Sequence, residues 1–343
     1  MSAPDHRGPA PRPLGALLEP AYRAAVSRRN ARFDSGRRVT DVGLPVISVG
    51  NISVGGVGKS PMVRRIVAWL REAGAHPAIA MRGYKAKSGQ LSDEEAEHRL
   101  HLPDVPIAAQ PNRVEGIAAL RNSHPEVDCI VLDDGFQHRF VHRDLDIVLI
   151  DATRDPFADR LLPAGWLREP TASLRRADAV VLTHAEAVEA PALSALKRSV
   201  TTAHEAPPIA VTRHDWSALI NESDAATAKD ALRGHRTYIY CGIGNPDAFT
   251  KQVQSSGALV TGAAIARDHA RIDPPTLRRV VEAARALESD RIITTAKDWV
   301  KIEPSLARLE SESRPPFVWP RLDLAFDEGE QGLRAAVLAA AGH

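Results

Sequence analysis

The densest chemistry in this chain lies between Gly50 and Ser60, which reads Gly-Asn-Ile-Ser-Val-Gly-Gly-Val-Gly-Lys-Ser. Glycines let successive backbone N–H groups turn toward one point, and a helix beginning there adds the positive end of its dipole. The ligand that suits such a cradle is a phosphate chain. Ser53, Val54, Gly55, Gly56, Val57 and Gly58 would line it, Lys59 would neutralise the β- and γ-phosphates of a bound nucleotide, and Ser60 would offer a hydroxyl to Mg²⁺. The strict spacing G-x4-G-K-[ST] requires glycine at 53, where this chain has Ser53, with Gly55 and Gly56 supplying freedom inside the loop instead.

A second constellation is Cys-Ile-Val-Leu-Asp-Asp-Gly-Phe-Gln-His at 129–138, an apolar run ending in two carboxylates. A carboxylate at the carboxyl end of a strand neighbouring a phosphate loop is placed to hold Mg²⁺, and the spacing does not rank Asp133 against Asp134. Transfer of a phosphoryl group to a hydroxyl also needs a proton acceptor. Ser92-Asp93-Glu94-Glu95 offers carboxylates and Asp268-His269 an imidazole. On residue type alone, an acidic run is more often a solvated face and a lone histidine more often structural.

These groups need rigid elements to aim them. Leu44–Val49 is a short apolar run that reads as a buried strand leading into the glycine-rich turn. A helix over 59–73 follows, with Met62, Ile66, Trp69, Leu70 and Ala73 on its buried face and Gly74 as its stop. Strands are expected at 78–81, 105–108, 129–132 and 147–150, with a helix at 113–121. Alternation of helices with strands that are apolar throughout predicts an α/β fold: a P-loop NTPase-like parallel sheet with helices on both faces. A second, smaller α/β domain is expected from strands at 179–182, 209–211, 238–241, 259–261 and 291–294, and from a helix with Asp273 as N-cap and Pro274 in its first turn. The expected division is a disordered tail at 1–13, a nucleotide-binding domain at 14–150 and a second domain at 151–343 that completes the cleft. Residues 151–176, with Pro156, Pro163, Gly165 and Pro170, read as a functional loop at the junction.

The first helical pattern, over 14–33, carries Leu14, Leu17, Leu18, Ala21, Tyr22 and Ala25 at helical spacing, with Pro20 expected to kink it or delay its start. Six arginines follow between Arg23 and Arg38. That pattern suits an anionic membrane surface, but the residues alone favour a helix packed on the body of the protein with a solvated basic end.

Bulk composition narrows the function. Lys plus Arg is 44 against 43 Asp plus Glu, a net charge of +1 that argues against bulk nucleic-acid binding. Cys129 and Cys241 sit in apolar runs and suggest buried, reduced thiols in a cytoplasmic protein, with neither a zinc nor a disulfide framework. No stretch of 18 apolar residues predicts a membrane span. Thr295-Ala296-Lys297-Asp298 lacks the asparagine of a guanine-reading Asn-Lys-x-Asp, so ATP rather than GTP is the expected nucleotide.

Taken in order, these segments resemble the tetraacyldisaccharide 4'-kinase family, the lipid A 4'-kinases. The resemblance rests on Val49-Gly50-Asn51 with the loop through Pro61, Arg82-Gly83-Tyr84, Asp93-Glu94, the run from Leu132 to His138, Arg143-Asp144, Leu161–Gly165 with Leu167–Pro170, Cys241–Pro246, Asp268-His269 and Thr295–Asp298. It implies transfer of the ATP γ-phosphate to the 4'-hydroxyl of a tetraacyldisaccharide 1-phosphate. It further implies Asp93 as general base with His269 relaying or orienting, Asp133, Asp134 and Glu94 organising Mg²⁺ with Ser60, and Arg82, Tyr84 and Arg168 lining nucleotide or acceptor. The first helix becomes a membrane-contacting element, which implies an acylated lipid substrate and a peripheral location on the cytoplasmic face of the inner membrane, with no nucleic acid and no obligate protein partner. Departures are Ser92 and Glu95 where the family reads Gly-Asp-Glu-Pro, Ala296 where it has Glu, and Trp166 where it has Pro. The residues by themselves also leave open a P-loop kinase with another acceptor, or a nucleotide-dependent switch.

Overall fold

The computed structural model describes residues 8–9, 12–36, 38–83, 91–243, 246–267, 272–306 and 314–343. Most of the expected tail lies outside them. The chain forms two compact units, Met1–His214 with Leu324–His343, and Asp215–Asp323.

In the first unit the elements run α1 (Arg12–Asp34), β1 (Val46–Asn51), α2 (Lys59–Glu72), β2 (Pro77–Met81), α3 (Asp93–His101), β3 (Ile107–Ala109), α4 (Arg113–Ser123), β4 (Cys129–Asp133), β5 (Leu145–Asp151), β6 (Ala179–Thr183) and α5 (Ala190–His204). The sheet has the order β3-β2-β4-β1-β5-β6, all parallel, and continues into the first residues of β7 (Ala210–Asn221). β1 and β4 are buried along their whole length, as strands covered on both faces must be. α2 buries Met62, Val63, Ile66, Val67, Trp69 and Leu70, a stripe at helical period that packs on the sheet.

The second unit takes in the far part of β7, then β8 (Ala226–Thr227), β9 (Arg236–Cys241), α6 (Pro246–Ser255), β10 (Leu259–Ile265), α7 (Pro274–Ala286), β11 (Arg291–Ile293), α8 (Ala296–Leu306) and the first part of β12 (Phe317–Glu328). Here β10, β9, β11 and β12 are parallel neighbours. The core is aromatic, with Trp299 stacked on Trp319 at 4.2 Å. α7 begins as its sequence predicts, Asp273 accepting from the Thr276 N–H at 2.9 Å. The chain then returns to the first unit, where α9 (Glu330–Ala341) buries Leu333, Val337 and Ala341 in the same cluster as Trp69.

The expected boundary at 150/151 therefore needs correction. β6 pairs with β5 from Ile147↔Ala179 to Asp151↔Thr183, so residues 179–183, well beyond 151, extend the first sheet. A buried parallel strand is apolar on both faces, so its own sequence does not say which sheet it joins. α1 also differs from expectation. It starts at Arg12 and continues through Pro20, which is exposed. Its buried residues are Gly15, Glu19, Val26 and Phe33, while Leu14, Leu17 and Leu18 are 47%, 75% and 43% exposed. The helix does pack on the body, but not through its leucines. Gly15 serves the inward face because a Cβ there would meet the Cα of Ala164 at 3.0 Å.

Candidate active site

Strand order builds the site. β1 lies between β4 and β5, with Val49 opposite Asp133, so the carboxyl end of β4 opens beside the loop that leaves β1. That loop, residues 52–58, ends in Gly58, whose φ of 84° and contact with His214 demand glycine, and α2 starts at Lys59. Gly55 has φ 123°. Ser53, at the position where the strict motif has glycine, instead forms an isolated bridge to Leu167, an extended pairing in which a Cβ costs nothing. The segment around Leu167 straps the loop: Trp166 O accepts from Val54 N at 2.8 Å, and Arg168 N donates to Ile52 O at 2.7 Å. On the other flank the Thr183 hydroxyl donates to Val57 O at 3.0 Å. Residues 151–176, expected as a junction loop, thus belong to the first unit and brace the phosphate loop.

Lys59 Nζ stands 3.4 Å from Asp134 Oδ1 and 3.5 Å from Asn51 Oδ1. Arg168 places one guanidinium nitrogen 3.0 and 2.9 Å from the two oxygens of Asp134. Burial pushes the Asp134 pKa up, but Lys59 and then Arg168 outweigh it and hold the carboxyl at about 2. Asp134 adopts φ 54°, a left-handed conformation that Asp tolerates, and Arg113 fastens the turn by donating to the carbonyls of Asp133 and Asp134 at 3.2 and 3.3 Å.

The neighbouring Asp133 is 3% exposed. Its Oδ2 is 2.8 Å from Nε2 of the fully buried His98 on α3, while its Oδ1 is buried with no hydrogen-bond partner among the described residues. Glu94, on the same helix, is reached by solvent; even so, the protein around it and next the Asp133 carboxylate push its pKa up, against the pull of Lys59. An unpartnered Asp133 oxygen and the Glu94 carboxylate, which act on each other electrostatically, could together hold a cation. Oxygen donors of this kind suit a hard ion such as Mg²⁺.

α3 explains the departure at Ser92 and Glu95. Ser92 is the N-cap, its side chain accepting from Glu95 N at 3.2 Å, and Glu95 turns to Arg99 on the next turn. Asp93 opens the helix; its side chain falls outside the described residues, as do Tyr84 and His269 entirely. Arg82 is exposed and lies within electrostatic reach of Arg113 and His138. Ser60 follows Lys59 in the first turn of α2. Thr295–Asp298 does structural work in the second unit, where buried Asp298 accepts from Gly242 N and the Thr295 hydroxyl, each at 2.8 Å. Both cysteines are buried, and burial raises each thiol to about 12.

Sequence reasoning missed His98, Arg113 and Glu169. His98 had a signal: it lies four residues after Glu94, hence on the same helical face. Glu169 is fully buried and joins α1 to the strap, accepting from Arg29 at 2.9 Å, Asn30 at 2.8 Å and Arg176 at 2.8 Å. The Leu167–Pro170 segment carries the family resemblance, but nothing in it says that this glutamate is buried or which arginines it meets.

A parallel sheet whose central strand turns through a glycine-rich loop into a helix headed by Lys-Ser, with an acidic strand end alongside, defines a P-loop kinase fold. The comparisons give the particular family. The model of the tetraacyldisaccharide-1-P 4'-kinase family matches residues 12–341, and the chain belongs to that family. A tetraacyldisaccharide 4'-kinase of Anaeromyxobacter dehalogenans is 36% identical over 87% of this chain and 85% of its own. One from Geobacter sulfurreducens is 35% identical over 90% of each. The solved structure of LpxK from Aquifex aeolicus in complex with ATP is 27% identical, has a TM-score of 0.70 and covers 95% of this chain and 98% of its own.

Proposed function

We propose that Lys59, Asp93, Asp133, Asp134 and Arg168 carry out the family reaction in this chain. The chain is an ATP-dependent kinase that transfers the γ-phosphate to the 4'-position of a tetraacyldisaccharide 1-phosphate. The observation that carries the assignment of residues is the ion pair at 3.4 Å between Lys59, at the positive end of α2, and Asp134 at the end of β4. In the transfer, the acceptor oxygen forms a bond to the γ-phosphorus as the bridge to the β-phosphate breaks, and ADP leaves. Lys59 and the backbone N–H groups of 55–60 neutralise charge spreading onto the phosphoryl oxygens. Asp93 takes the hydroxyl proton, with His269 orienting it, and Arg82, Tyr84 and Arg168 hold the anionic substrates. Ser60, Asp133, Asp134 and Glu94 would hold Mg²⁺, which when bound adds positive charge at the phosphates; the partnerless Asp133 oxygen supports that fit.

The acylated substrate gives the exposed leucines of α1 a role. Leu14, Leu17 and Leu18 face solvent on a helix that continues into arginines, an arrangement suited to an anionic bilayer surface. No helix among the described residues is long and apolar enough to cross a membrane. The reading is a peripheral enzyme on the cytoplasmic face of the inner membrane.

The test is phosphate transfer from γ-labelled ATP to tetraacyldisaccharide 1-phosphate in detergent micelles. A bis-phosphorylated lipid is expected, with Lys59→Ala and Asp93→Asn each lowering kcat by at least ~10²-fold. Slow ATP hydrolysis with no lipid product would point to the switch reading. Near-normal turnover by Lys59→Ala would remove the role given to the phosphate loop.

A further inference from the structure

On the side of β1 away from Asp133, a separate cluster lies under the same loop. β6 ends at Thr183, and the next residue, His184, takes a left-handed turn with φ 58°. Glu186 follows in a short turn, and His214 reaches the same place from β7. The two imidazoles meet edge to face at 4.2 Å between centroids. His184 Nδ1 is 3.6 Å from Glu186 Oε1, and the His214 backbone N–H donates to Glu186 Oε2 at 3.3 Å. One ligand atom from each residue lies within 4.8 Å of the others. Nε2 of His214 is buried without a hydrogen-bond partner among the described residues.

A buried ring nitrogen of His214 left unpaired beside a second imidazole and a carboxylate asks for a cause, since a buried polar atom without a partner costs free energy. Here the unpartnered Nε2 belongs to His214, whose ring meets that of His184 edge to face, and His184 turns its Nδ1 to the Glu186 carboxylate. Two imidazoles and one carboxylate are the three-ligand set of an open zinc site. Imidazole selects first-row transition metals over Mg²⁺ or Ca²⁺, which prefer oxygen. We propose that His184, Glu186 and His214 form a binding site for a divalent transition-metal ion of the Zn²⁺ class, built against the phosphate loop and separate from the Mg²⁺ ligands. Zinc bonds of about 2.0–2.2 Å need ligand atoms about 3.3–3.6 Å apart, so the set closes by inward movement of about an ångström. A Cβ at Gly58 would sit 2.9 Å from His214 Nε2, and Thr183 already bonds Val57, so an ion here joins the end of β6 to β7 beneath the loop.

The experiment uses the full chain, stripped with chelator and held in Mg²⁺-free buffer. Co²⁺ is titrated as a spectroscopic probe of ligand field, and Zn²⁺ affinity is measured by competition with a chromophoric chelator. One equivalent of Co²⁺ with visible d–d absorption is expected, displaced by Zn²⁺. His184→Gln and Glu186→Gln should each weaken Zn²⁺ binding at least ~10-fold, while Asp133→Asn leaves it unchanged. Glu186 is 35% exposed, so its variant tests the site even if a histidine variant fails to fold. Absence of a d–d band, equal Zn²⁺ affinity in Glu186→Gln and the parent, or binding lost only in Asp133→Asn would overturn the proposal. Kinase activity is not the readout, so failure here leaves the reaction assignment standing.

Discussion

Glu169→Ala probes how α1 is fastened to the strap over the phosphate loop. The Glu169 carboxylate is fully buried and accepts three side-chain hydrogen bonds, from Arg29, Asn30 and Arg176. Arg29 is 39% exposed, so its share falls in the range of surface pairs, under ~1 kcal/mol. Arg176 is 20% exposed and also lies 4.2 Å over the Phe136 ring, so truncating Glu169 leaves its charge stranded. Removing one partner of a buried pair costs about 3–5 kcal/mol. At ~2–4 °C per kcal/mol for a unit of this size, the melting temperature should fall by roughly 6–20 °C. Arg29→Ala should cost under ~1 kcal/mol. Thermal and urea unfolding followed by circular dichroism measures both. A Glu169→Ala protein melting within ~3 °C of the parent would refute the claim that this carboxylate clamps the helix. The sign with pH agrees. Burial pushes the Glu169 pKa up, but Arg176, Asn30 and Arg29 outweigh it and hold the folded pKa below the ordinary 4.5. Its contribution is therefore present above pH 4.5 and is lost as pH falls through the folded pKa.

Gly58→Ala should destabilise the fold by about 1–2 kcal/mol through its left-handed φ alone, and should weaken ATP binding in a nucleotide titration, because the new methyl meets His214. His138 is held near pKa 4, chiefly by burial and then by Arg113, Arg143 and Arg82. Stability should therefore decline as pH drops from about 6.5 toward 4, and His138→Asn should flatten that part of a pH–melting curve. Leu17→Glu with Leu18→Glu should leave the melting temperature within ~1–2 °C, since both side chains are exposed, yet reduce sedimentation with anionic vesicles several-fold. Unchanged vesicle binding would count against α1 as the membrane contact.

Much of the first unit could be read from the chain because its signals are local. The turn from β1 into α2 needs glycine and presents Lys59 to whatever binds there, and the apolar runs at 129–132 and 147–150 have no stable place but a covered sheet. The Asp273 cap and the Asp133-Asp134 strand end were legible for the same reason. Five helices, α3, α5, α6, α8 and α9, were not assigned from periodicity, and the long β12 was overlooked: their apolar positions are too few or too mixed with alanine and charge to set a period. The face of α1 was legible only as a pattern, since the leucines that look like its core side are the exposed ones.

The sequence by itself therefore determined the phosphate loop, the acidic strand end and the α/β class, because each depends on residues close together in the chain. Tertiary structure decided what depends on residues far apart. The strand order β4-β1-β5-β6 put Asp134 3.4 Å from Lys59, brought the 161–170 strap over the loop, buried Glu169 among arginines from two elements, and set His214 against His184. Such pairings are selected by the packing of whole faces, and no window of local sequence contains both partners.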